Sequence, residues 1–141
     1  MNLEQISTPH EALSHLFFHV CFKDGKITDS EIDVVSDKLI AAGLNEDLNF
    51  KDEVIRYRSY RNEITDETAY LEALIARIHP TNELALFSFC VELCLSDGLL
   101  QPEEEALLQK LATVLDLDES EQRTCTKLMV QRKVVETEKV F

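Results

Sequence analysis

The residues best placed to do chemistry are carboxylates that recur at matched spacing. Asp24-Gly25-Lys26-Ile27-Thr28-Asp29-Ser30-Glu31 returns 73 positions later as Asp97-Gly98-Leu99-Leu100-Gln101-Pro102-Glu103-Glu104. An aspartate before a glycine turn, an apolar residue and a closing glutamate copy the second half of a calcium-binding helix-loop-helix loop. Asp24, Glu31, Asp97 and Glu104 are therefore candidate metal ligands, with Ca²⁺ the first choice and Mg²⁺ or Zn²⁺ left open. The first half of such a loop is missing. Val20 and Phe22 in one copy, and Leu93 and Leu95 in the other, stand where its opening oxygen ligands belong. Two carboxylates per copy fall short of the roughly six to eight oxygens Ca²⁺ takes, so binding requires both copies to converge, or backbone carbonyls or water. The same spacing also fits helix punctuation alone: glycine ends a helix, Asp24 and Asp97 brace the turn, and Glu31 and Glu104 act as capping-box partners.

Two other constellations carry ligand or interface chemistry. His15 and His19 are one helical turn apart, as are Cys90 and Cys94, and these residue types suit tetrahedral zinc. Phe17, Phe18 and Phe22 surround the histidines and no Cys-x-x-Cys pair exists, so packing is the better reading. Arg56, Tyr57, Arg58, Tyr60 and Arg61 form a basic and aromatic patch of the composition favoured at protein interfaces. In the alternative, Phe50, Val54 and Tyr57 pack inward and the arginines pair with nearby acids. No glycine-rich phosphate loop, nucleophile elbow or His-Glu-x-x-His pattern occurs, and a non-enzymatic role is expected.

The elements that must position these residues read as helices. Thr8-Pro9-His10-Glu11 opens helix one, expected over 9–23, and Thr28 with Glu31 opens helix two, which Gly43 stops. Ile32, Val35, Leu39 and Ala42 form the expected inner face of helix two. A third helix starts near Asn45 or its repeat equivalent Asp118 in each half, ending near 61 and 135. Thr65 opens an intervening helix that Pro80 closes, and the repeat restarts at Asn82. About seven helices follow, in a three-one-three order, with no strand-like alternation. The expectation is an all-α single-domain bundle over 1–141, with repeats at 9–61 and 82–135 and their most apolar helices paired centrally about an approximate two-fold.

The totals narrow the partners. Fourteen basic against 27 acidic residues give a net charge of -13, which repels nucleic acid and favours cations or basic partners. The run 84–95 is too short for a membrane span. The polar, acidic opening Met1-Asn2-Leu3-Glu4-Gln5 does not read as a secretory leader, and four cysteines without dense spacing fit a reducing cytoplasm. The tail 134–141 ends in apolar residues and has two candidate docking places, the body of the domain and a second subunit in a homodimer.

Over 17–117, on the duplicated Asp-Gly-x-apolar…Glu motif, the sequence resembles the tellurite-resistance TerB-like family. The resemblance implies a two-fold-like bundle of seven helices, an acidic metal-binding surface at Asp24, Glu31, Asp97 and Glu104, and a role in stress response with co-chaperone or membrane-associated protein partners. Lys26 departs from the pattern, because a cation there competes with a metal, while Asp29 and Glu103 could add oxygens. The alternative is a metal-free protein-protein interaction scaffold in which all four acids are helix caps.

Overall fold

Local hydrogen bonds start nearly every element of the computed structural model, which describes residues 3, 6–23, 28–43, 48–95 and 99–141. Among these residues there are seven α-helices and no strand: α1 (Pro9–Cys21), α2 (Asp29–Ala41), α3 (Phe50–Tyr60), α4 (Glu67–Ile78), α5 (Glu83–Cys94), α6 (Pro102–Val114) and α7 (Glu119–Glu138). The fold class is all-α, as expected. Thr8 Oγ1 accepts the Glu11 amide at 3.1 Å, and Thr28 Oγ1 accepts the Glu31 amide at 3.2 Å. Asn82 and Asp118 do the same for Ala85 and Glu121, at 3.0 and 2.7 Å. Each bond satisfies one of the amides that a helix start leaves without an internal partner. At the stops, Gly43 adopts φ 77°, the left-handed conformation glycine takes without a Cβ penalty, and His79 adopts φ 50°.

Four boundaries differ from the sequence reading, the first at α1, which ends at Cys21 instead of residue 23. α3 starts after Asn49, whose Oδ1 accepts the Asp52 amide at 3.3 Å, whereas Asn45 lies outside the described residues. α4 is capped by Asp66 instead of Thr65, through a 3.0 Å bond from the Ala69 amide. Both are cap-competent, and the carboxylate has the added attraction of the positive helix end. α7 continues to Glu138, three residues past the expected end.

The chain divides into two compact units, Met1–His79 and Pro80–Phe141. In the first, α2, α3 and α4 all pack on α1. Leu16, Phe17, Phe18 and Val20 make α1 apolar on most of its circumference, so it must be enclosed. Val35 and Leu39 of α2 are buried, while Ile32 is half-buried and Ala42 exposed, a narrower inner face than expected. Val54 and Tyr57 of α3 and Tyr70, Leu71 and Leu74 of α4 complete this core. In the second unit, α6 and α7 pack on α5. Phe87, Cys90, Val91 and Leu93 of α5 and Leu107, Leu108 and Leu111 of α6 are buried. α6 occupies the residue range displaced by 73 positions from that of α2. No described helix is long and apolar enough to cross a membrane.

Candidate functional site

Glu31 and Glu104 occupy the same place in their helices, the third residue after the cap of α2 and of α6. The α6 copy has a defined local role. Glu104 is 6% exposed and its Oε1 accepts the Gln101 amide at 3.0 Å, closing the helix start. Glu31 is half-buried at the start of α2, and Asp29 and Glu103 are exposed in the same first turns. Asp24 and Asp97, the other two proposed ligands, lie outside the described residues together with Lys26. Glu31 belongs to the first unit and Glu104 to the second. Among the described residues, no group of three or more His, Cys, Asp or Glu side chains is arranged to hold a metal ion.

The densest polar constellation lies in the core of the first unit. His15 and His19, on α1, are 0% and 6% exposed, and each is held by a tyrosine of α3. His15 Nδ1 is 2.6 Å from the Tyr60 hydroxyl, which is 2.6 Å from the Tyr70 hydroxyl of α4. His19 Nδ1 is 2.8 Å from the Tyr57 hydroxyl, and its Nε2 is 2.9 Å from Glu67 Oε2 of α4. An ionised carboxylate only accepts, so His19 donates its Nε2–H to Glu67 and accepts from Tyr57 at Nδ1. The same tautomer serves His15. Tyr70 donates to Tyr60, Tyr60 donates to Nδ1, and Nε2–H faces Glu53 Oε1 at 3.6 Å. Both carboxylates are themselves paired, Glu53 with Arg56 at 2.6 Å and Glu67 with Lys23. Arg56 also reaches Glu11 at 3.3 Å.

Burial sets the protonation of this cluster. It pushes the His15 imidazole down to about 4, with the Arg56 charge acting in the same direction and Glu11 against it. His19 is lowered as well, because burial outweighs the opposing hydrogen bond and charge of Glu67. The tyrosine hydroxyls at 57, 60 and 70 are pushed up by burial and stay protonated donors. The Glu53 carboxyl is also raised by burial, against the nearby Arg56 guanidinium. A general base must come within hydrogen-bond reach of its substrate. His15 Nδ1 and both ring nitrogens of His19 are instead turned to protein partners that tie α1 to α3 and α4, while His15 Nε2 is buried without a hydrogen bond, 3.6 Å from Glu53.

The five residues read as a basic and aromatic patch separate in space. Tyr57 and Tyr60 point into the core, 1% and 9% exposed, because each hydroxyl finds a histidine there. Arg56 sits in the ion pairs with Glu53 and Glu11, and an Arg61 guanidinium nitrogen donates to the Phe22 carbonyl at 2.6 Å. Arg58 alone of the five is exposed. The tyrosine and histidine pairings were missed in the sequence because the partners are 38 and 45 residues apart. Two buried-type histidines one turn apart, matched by two tyrosines at helical spacing, were the available signal.

Comparison with known proteins adds the family. The model of the family described as tellurite resistance protein TerB matches residues 10–127. No curated protein and no solved structure matches the chain. A match over this much of the sequence, together with the all-α architecture, shows that the chain belongs to the TerB family of tellurite resistance proteins.

Proposed function

We propose that this chain is a non-catalytic cytoplasmic binding domain whose two Asp-Gly turns hold a divalent cation weakly, Ca²⁺ first, and whose acidic patch then engages a protein partner in tellurite or stress resistance. The observation that carries this reading is the matched register of Glu31 and Glu104, each the third residue of a helix that follows an Asp-Gly pair in the sequence. Asp24 and Asp97 supply turn oxygens in this scheme, and the net charge of -13 draws cations towards them. The commitment of His15 and His19 to core hydrogen bonds supports a role without catalysis.

A second reading is favoured by the Gln101 amide bond to Glu104. In it the acids are helix caps and the chain is a metal-free scaffold. Calorimetric titration with Ca²⁺, Mg²⁺ and Zn²⁺ separates the two. Saturable heat in the wild type that disappears in the Asp24→Asn, Asp97→Asn double variant supports the cation site, and no heat at millimolar metal supports the scaffold.

A further inference from the structure

The longest helix of the chain is the one its core uses least. α7 runs 20 residues and none of them is fully buried. Leu128 is 59% exposed on it. Beside that leucine, a groove of about 710 Å³ lies between α5 and α7. Leu84 and Ala85 form one wall, Cys125, Leu128 and Met129 form the other, and Glu121 and Arg132 also line it. At 3.6 residues per turn the 11-residue separation of Glu121 and Arg132 closes on about three turns, so the two charges share one face about 16 Å apart, with the apolar residues between them.

We propose that this groove accepts α7 of a second copy of the chain, running antiparallel about a two-fold axis. The axis passes beside the midpoint of Cys125 and Leu128. It sets Cys125 against Leu128 of the other copy and Glu121 against Arg132 of the other copy, each contact made twice as an isologous interface requires. A parallel pair in register would instead face glutamate with glutamate and arginine with arginine, so the charge pattern selects the antiparallel arrangement. The location also answers the repulsion between two molecules of net charge -13. α7 carries four acidic and four basic residues, and its own charge is zero. Two strongly acidic molecules approach with least penalty along such a helix. An apolar centre with complementary charges at both ends is the arrangement expected of an interface core and rim. The pairing does not depend on an ion at the Asp-Gly turns.

Sedimentation equilibrium over a range from low to several hundred micromolar tests this. The wild-type mass should climb from 16.1 kDa towards twice that value. Leu128→Lys, at an exposed position that leaves the core intact, should stay monomeric with an unchanged circular dichroism spectrum. Glu121→Arg and Arg132→Glu should each raise the dissociation constant by about tenfold or more, and the double swap should return it to within about threefold of wild type. A wild type that is monomeric throughout, a dimer indifferent to Leu128→Lys, or a double swap no tighter than the single variants would each overturn the proposal.

Discussion

Lowering the pH from 7 to 5 should weaken the fold through His15, and His15→Gln should remove that part of the loss. The imidazole has its ordinary value of 6.5 when unfolded and about 4 in the folded chain, where it is fully buried. The folded state therefore binds this proton less readily than the unfolded state. Stability from this group is full above pH 6.5 and falls as the pH drops towards 4. Each pH unit within the window costs about 1.4 kcal/mol, which makes about 2 kcal/mol at pH 5. The charged and titratable groups facing His15 are Glu11 on its own helix and Glu53, Arg56, Tyr57 and Tyr60 on α3. Glu53, whose folded value is raised, contributes in the opposite sense just above its unfolded value, and His19 contributes in the same sense as His15. Both remain in the variant, so the difference between the two proteins isolates His15. Urea unfolding at pH 7, 6 and 5 reads the free energies. The expected result is a wild-type loss larger than that of His15→Gln by about 2 kcal/mol at pH 5. Parallel pH profiles would refute the buried neutral imidazole.

The same network gives further expectations. Tyr60→Phe takes a hydroxyl from both His15 Nδ1 and Tyr70, and leaving those buried atoms unpaired should cost about 2 kcal/mol in urea unfolding. Glu67→Gln removes a charge that raises the His19 value, so a nuclear magnetic resonance titration should show His19 protonating at still lower pH. Thr28→Ala deletes the α2 cap and should lower thermal stability by about 1 kcal/mol, restored in large part by Thr28→Ser.

What could be read in advance follows the range of the interactions. Thr8, Thr28, Asn82 and Asp118 were legible as helix starts because each cap bonds an amide only three residues away. The choices of Asn49 and of Asp66 were less legible, since neighbouring residues offer the same local chemistry. Tyr57 and Tyr60 illustrate the limit most clearly. Their alternation with arginines looks like an interface, yet their hydroxyls are held by histidines on α1, a long-range match that spacing within α3 does not reveal. Of the acidic motif, the register of Glu31 and Glu104 was legible because it depends on the helix start alone.

The most direct test of a shared cation site is paramagnetic broadening of the amide spectrum by substoichiometric Mn²⁺. Paired binding predicts that signals from 24–31 and 97–104 broaden together and recover together when Ca²⁺ is added in excess. Broadening of one segment without the other, or scattered evenly over the acidic surface, would contradict it.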